Sequence, residues 1–295
     1  MAYERLEQCP VCGKSDFKNF MVVQDKSVSQ ESFVIVLCEN CNLKFTNPRP
    51  DQASIGRYYE SEDYISHSNT TKGIISKAYK VVRSIALKEK LELINRIATK
   101  GKILDYGCGT GHFLETCQKD GWEVSGFEPN ALANQQAEKT LGKTIEKVSL
   151  KDFEPETFQV ITLWHVLEHI HTLNETTKEL LSLLKPGGAL VVAVPNADSL
   201  DAKNYRENWA AYDVPRHLYH FNQETMKRFL KKHKLSLEET KPMKYDAYYV
   251  SMLSEKYKAG KTNMFSSVLN GYRSNSYASK NANDYSSLIY IARKK

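Results

Sequence analysis

From residue 101 onward, short apolar runs alternate with segments of helical period. The runs Ile103–Tyr106, Val124–Phe127, Val160–Leu163 and Leu190–Val194 have the length and β-branched content of buried strands. Between them, 111–120, 130–140, 173–185 and 223–233 predict helices. Gly121 stops the first, Pro186-Gly187-Gly188 stops the third, and Asn222 is placed to cap the first turn of the fourth. Strands alternating with helices of this length predict βαβ units and a parallel sheet covered on both faces. Upstream, Leu87, Leu91, Ile94 and Ala98 mark one face of an amphipathic helix ending near Gly101. In the tail, Leu235–Glu239 and Ser287–Ala292 read as strands, separated by a polar stretch with a helix-like segment.

This pattern divides the chain into a module over 1–50, a connector with N-terminal helices over 51–100, and a main α/β domain over 101–295. The module holds the β-like run Phe33–Leu37 and closes on Asn47-Pro48-Arg49-Pro50, where two prolines cannot sit inside a helix or central strand. Composition is that of a globular protein, 41% hydrophobic and 26% charged. No apolar run approaches the roughly 20 residues of a membrane span, and the opening MAYERLEQ lacks a signal-peptide apolar stretch. The expectation is a soluble, cytoplasmic protein without a membrane partner. The net charge of +6 is spread along the chain, and clusters such as Lys231, Lys232 and Lys234 read as solvated faces. A nucleic-acid partner is therefore disfavoured without being excluded.

Four of the six cysteines fall in two pairs, Cys9-Pro-Val-Cys12 and Cys38-Glu-Asn-Cys41. In a reducing compartment, two such turns present four thiolates to one ion, the arrangement of a tetrahedral zinc site. Four protein ligands leave no open position, so the zinc expected at Cys9, Cys12, Cys38 and Cys41 is structural. A module this small needs the metal's binding energy to fold.

The most informative segment is Ile103-Leu104-Asp105-Tyr106-Gly107-Cys108-Gly109-Thr110-Gly111. A strand runs into three glycines and then a helix, whose first N–H groups suit a carboxylate or phosphate. A P-loop needs Lys-Ser/Thr after its last glycine, and His112-Phe113 stands there instead. The spacing G-x-G-x-G with a preceding acid resembles the first motif of class I S-adenosylmethionine-dependent methyltransferases. That resemblance implies a seven-stranded Rossmann-like sheet, mostly parallel with an antiparallel last strand. It assigns the cofactor to Asp105, Gly107, Gly109, Gly111 and His112, and to Phe127, Glu128 and Pro129 at the end of the second strand. Glu128 stands where a carboxylate accepts both ribose hydroxyls. Ser149 and Leu150 map to the adenine loop, although many relatives place Asp near that point. Trp164 and His165 map to the end of the fourth strand, and Tyr64 and His67 to a preceding segment folded over the cofactor. The order of cysteine module, Asn-Pro-Arg-Pro and main domain also looks like bacterial sugar or cell-surface methyltransferases, without the long C-terminal domain those usually carry.

Two histidine clusters can supply acid–base chemistry. His165, Glu168 and His169 follow the fourth strand, and resemble a place where some quinone O-methyltransferases hold a divalent metal. Here a histidine replaces the first acidic position, which disfavours a hard cation. The second cluster, 208–221, combines Trp209, Asp213, Arg216, His217 and Tyr219 in one loop, where substrate contacts are expected. His165, His169 and His217 are the candidate catalytic residues. The expected acceptor is a small molecule, a sugar or hydroxylated metabolite being the first choice. An RNA methyltransferase and a non-catalytic cofactor-binding module remain the alternatives.

Overall fold

The computed structural model describes residues 2–59, 74–143, 145 and 149–295, with side chains of the first helix from Val82 onward. Strands β1 (Tyr3–Glu4), β2 (Phe17–Gln24), β3 (Ser32–Cys38), β4 (Lys44–Thr46) and β5 (Arg49–Pro50) lead into helix α1 (Ile74–Ile97). The alternating region follows: β6 (Lys102–Tyr106), α2 (His112–Lys119), β7 (Glu123–Phe127), α3 (Ala131–Leu141), β8 (Phe158–Trp164), α4 (Leu173–Leu183) and β9 (Leu184–Pro195). Then come α5 (Leu200–Tyr205), β10 (Tyr219–His220), α6 (Gln223–Lys232), β11 (Leu235–Pro242), α7 (Asp246–Ala259), α8 (Met264–Ala278) and β12 (Ser287–Lys294).

The main sheet has the order β11-β12-β9-β8-β6-β7. β6 through β9 run parallel, while β12 runs antiparallel to both its neighbours. Six of the seven expected strands lie among the described residues. Alternate residues of each strand point to opposite faces. Ile103, Val160, Val191 and Ile289 pack with Ile94 and Leu114 on one face. Leu104, Ile161, Val192 and Leu288 pack with Leu180 and Phe229 on the other. The helix starts are those the residues dictate. Asn130 accepts from the N–H groups of Leu132 and Ala133, and Asn222 forms a capping box with Thr225. Pro186-Gly187-Gly188, expected as a helix stop, lies within β9, where the register against β8 is irregular. The polar tail segment is two helices, α7 and α8, packed as a hairpin.

The N-terminal module is tied into the main domain by backbone and core. Its sheet has the order β10-β4-β3-β2, so the strand at Tyr219–His220 pairs with Phe45 and Lys44. Leu43 and Phe45 join the core cluster that contains Leu218, Phe221 and Phe229. This pairing places the loop 208–218 between the module and the carboxyl ends of the main strands.

Candidate functional site

The glycine turn after β6 closes against the end of β7. Gly107 and Cys108 donate their N–H groups to the Phe127 carbonyl at 2.7 and 3.0 Å. All three glycines have positive φ, +81°, +55° and +79° for Gly107, Gly109 and Gly111. Gly107 and Gly111 are also sterically required, since a Cβ there would meet Val166 at 2.5 Å and Ala137 at 3.1 Å. Gly109 differs. Nothing lies within 4 Å of a Cβ built on it, so its outer side is open space. Glu128 faces this opening, accepting from Gly109 N–H through one oxygen and from Asn130 N–H through the other, each at 2.9 Å. Each carboxylate oxygen keeps a further lone pair for an added donor. Burial pushes the Glu128 carboxyl upward against those two N–H bonds.

Asp105 is buried and accepts from Thr162 Oγ1 at 2.5 Å. Burial raises its carboxyl to about 6, opposed by the Thr162 hydrogen bond and the Lys90 charge. Lys90, on α1, lies over the Trp164 ring at 4.2 Å from its centroid. The Trp164 indole N–H is buried without a protein partner. Phe127 stacks on Tyr106 with centroids 4.8 Å apart. His112 opens α2, with Nδ1 3.8 Å from Glu115. Pro129 is exposed, Ser149 caps a short turn through Lys151 N–H, and Leu150 is buried. Tyr64 and His67 lie outside the described residues. An open glycine face, a half-used carboxylate and an unpartnered indole donor together fit a nucleoside-bearing cofactor.

Beside this crevice is a cavity of about 360 Å³ where β8, β9, the 208–218 loop and α7 converge. His165 lies at its edge, in a positive-φ conformation (+56°) with its N–H on the Ala193 carbonyl. Its Nε2 is 3.0 Å from Asp246 Oδ2 and its Nδ1 3.6 Å from Glu168 Oε1. Burial lowers the His165 pKa, but the two carboxylates outweigh it and hold the imidazole up at about 9. Asp213, Arg216 and His217 line the same cavity, together with Tyr249, Leu253 and Tyr257. Arg216 is buried and fully engaged, with Asp213 at 2.7 Å, Asp25 at 3.0 Å and the Tyr58 carbonyl at 2.7 Å. His217 donates Nδ1–H to the Ala211 carbonyl at 2.8 Å, which leaves Nε2 facing Glu168 at 4.0 Å.

Two loop residues expected at the substrate sit elsewhere. Trp209 is buried, its indole N–H donated to Asp201 at 2.8 Å, and Tyr219 is buried with its hydroxyl on the His171 carbonyl. Neither lines the cavity, because both large rings fill core space under the loop. His169 also packs inward, with Nδ1 3.0 Å from the Arg216 carbonyl, and burial depresses its pKa to about 4. Glu168, His169 and His217 bring potential ligand atoms within 4.8 Å of one another, and neither Glu168 oxygen has a hydrogen-bond partner. Among the described residues these three and the four cysteines are the groups whose geometry could accept a metal ion. Asp246, Lys90, Ser27 and Tyr257 carry no local sequence signal, since each reaches its place only through the packing of α1, α7 and the β2–β3 turn.

The four cysteines converge as their spacing predicts. Cys9 Sγ lies 3.5 Å from Cys41 Sγ, and Cys12 Sγ 3.5 Å from Cys38 Sγ. Sulfurs bound at roughly 2.3 Å to one tetrahedral zinc stand about 3.8 Å apart, close to this spacing. A second, larger cleft of about 1000 Å³ runs between α1, the 241–246 segment and α8, and meets the first cavity at Asp246.

Residues 81–240, more than half of the chain, match a family described as a methyltransferase domain. A ubiquinone biosynthesis O-methyltransferase of Aliivibrio fischeri is 31% identical over 124 residues, covering 39% of this chain and 52% of that protein. The corresponding protein of Actinobacillus pleuropneumoniae is 34% identical over 108 residues, 32% of this chain and 46% of its own. The chain thus spans about half the length of the curated relatives it matches. Among solved structures, a SAM-dependent methyltransferase from Archaeoglobus fulgidus superposes with a TM-score of 0.49 at 21% identity, covering 72% of this chain and 94% of that one.

Proposed function

Since the chain belongs to the methyltransferase-domain family, we propose that it transfers a methyl group from S-adenosylmethionine to a small-molecule acceptor seated in the cavity at His165. The observation that carries the reading is Glu128 hydrogen-bonded to Gly109 N–H across the open face of the glycine turn, one strand away from that cavity. When bound, the sulfonium cofactor supplies an electrophilic methyl group. The chain's own residues then have three tasks. Glu128 and the glycine N–H groups orient the nucleoside. Trp164 and Lys90 wall the crevice on the α1 side. The groups around His165 manage charge on the acceptor.

In this reading His165, its Nε2–H held by Asp246, donates Nδ1–H, which lies 3.6 Å from Glu168 without a hydrogen bond to it, to an acceptor oxygen. His217 takes the proton through Nε2, because its Nδ1–H is fixed on a carbonyl, and Glu168 stabilises the imidazolium that forms. Arg216 braces the loop, its charge being matched within the protein. A hydroxylated metabolite, including a sugar, suits this mixture of imidazole, carboxylate and tyrosine. The cysteine cluster takes one structural zinc away from the acceptor, and the module reaches the acceptor cavity through Ser27 and Val28 of the β2–β3 turn.

The test is transfer of labelled methyl from S-adenosylmethionine to fractionated metabolites. Wild-type protein is expected to label a small-molecule fraction, and His217→Asn to lose about 100-fold in kcat while binding S-adenosylhomocysteine as before. Absence of S-adenosylhomocysteine binding by the wild type would overturn the reading at its base. Labelling of RNA in place of metabolites would replace the substrate class.

A further inference from the structure

The hairpin of α7 and α8 lies outside the segment shared with the family. Its outer face departs from the rest of the surface. Phe265 is 79% exposed, Tyr272 62%, Val268 54% and Met264 53%. Spacings of three and four residues place these side chains together on one side of α8. The other side is made of small residues, Ser267, Gly271, Ser274 and Ala278, all buried. A Cβ at Gly271 would meet Tyr248 of α7 at 2.6 Å. α8 is therefore clamped to the body through its small-residue side and turns its bulky apolar side to solvent.

Charge accompanies this face. Lys256 and Lys258 end α7, Lys261 stands in the connecting turn, and Arg273 lies on α8, all exposed. The hairpin's acidic residues point inward: Asp246 to His165, and Glu255 to the Tyr205 hydroxyl and the Asn270 amide. Its outer surface is thus apolar, with Lys258, Lys261 and Arg273 exposed beside the apolar residues.

We propose that this hairpin is a docking surface for an anionic lipid bilayer. Met264, Phe265, Val268 and Tyr272 enter the boundary between headgroups and acyl chains, and Lys258, Lys261 and Arg273 lie against the negative headgroups. Lysine is depleted where one protein buries another, so Lys258 and Lys261 at the fringe of the apolar residues favour lipid over a protein partner. No helix among the described residues is long and apolar enough to cross a membrane, so the contact is peripheral. The sequence expectation of no membrane partner rested on continuous apolar runs. A patch assembled at helical spacing escapes that criterion. Tyr272 also lines the larger cleft, so docking turns the mouth of that cleft toward the lipid.

Co-sedimentation of the full chain with phosphatidylglycerol-rich vesicles, compared with phosphatidylcholine alone, tests the proposal. Binding is expected to the anionic vesicles, at least roughly tenfold weaker to neutral ones and falling with added salt. Phe265→Ser with Val268→Ser, and separately Lys258→Glu with Lys261→Glu, should each weaken binding about tenfold or more with unchanged circular dichroism. No binding to anionic vesicles overturns the proposal, as does equal binding by both variants. So does a dimer in light scattering that the Phe265→Ser variant dissociates, since a second copy then covers the face. Cofactor binding plays no part in these measurements, and their failure leaves the enzymatic reading where it stands.

Discussion

At the scale of single residues, buried charge is placed where its partners are built in. Asp25 sits beneath the Arg216 guanidinium and accepts from the N–H and hydroxyl of Ser29. Burial raises its carboxyl, but Arg216 and the Ser29 N–H outweigh it and hold the pKa at about 2. A depressed carboxylate stabilises the fold above its ordinary pKa of 3.8 and loses that contribution as pH falls through about 2. The linkage is on the order of 2 kcal/mol. Arg216→Met should cost about 3–5 kcal/mol, because Asp25 and Asp213 are then buried without their cation. It should also flatten the acid limb of the stability profile between about pH 4 and pH 2, read from urea melts. An unchanged acid limb would mean that Arg216 is not what holds Asp25. Glu128 makes the complementary case for binding. Glu128→Ala should weaken S-adenosylhomocysteine in calorimetry by at least roughly tenfold, about 1.4 kcal/mol, the value of one charge-assisted hydrogen bond.

Elements set what these residues can reach. The strand–turn–helix β6–α2 is shaped by three glycines that serve different ends. Gly107 and Gly111 make room for Val166 and Ala137, whereas Gly109 borders empty space. A residue other than glycine in the left-handed region costs about 1–2 kcal/mol. Gly109→Ala should therefore lower stability by roughly that amount and leave the fold intact, while its methyl group intrudes on the ligand side and lowers cofactor affinity. Gly107→Ala adds a 2.5 Å clash with Val166 to the same strain, and should destabilise more. Thermal melts and S-adenosylhomocysteine titrations of the two variants separate the effects. Equal loss of affinity relative to stability in both would argue that Gly109 does not border the cofactor. At the opposite edge of the site, α7 contributes Asp246 from its first turn to His165. This pairing joins the end of β8 to an element lying beyond the family's shared segment.

Across the whole molecule, the N-terminal module and the cavity are mechanically connected. β10 completes the module's sheet, Arg216 reaches Asp25 in the β2–β3 turn, and the Cys9 backbone turn packs on α4 and α6 through Asn174 and Lys232 at the Pro10 carbonyl. Removing metal with a chelator should lower the melting midpoint and also raise amide exchange in 208–221, a segment that carries no cysteine. Exchange confined to residues 1–50 would show that the module melts alone. Cys38→Ser should reproduce the apo behaviour and lose stoichiometric zinc.

Much of the architecture could be read before any coordinates. The βα alternation was legible because apolar periodicity and caps such as Asn130 and Asn222 are local properties, and the four helices predicted over 111–120, 130–140, 173–185 and 223–233 lie within two residues of their observed ends. The glycine turn, Glu128 and the four cysteines were legible for the same reason: their chemistry depends on spacing along the chain. What folding alone decided are the relations between distant segments. Trp209 and Tyr219 looked like binding residues by composition, yet large rings are also what a core needs, and only packing assigns them there. Asp246 beside His165, Lys90 over Trp164 and Arg216 across to Asp25 join residues 81, 74 and 191 positions apart. No short-range pattern encodes such pairs, because a side chain's partner in a folded protein is fixed by the sheet order and helix packing that bring the segments together.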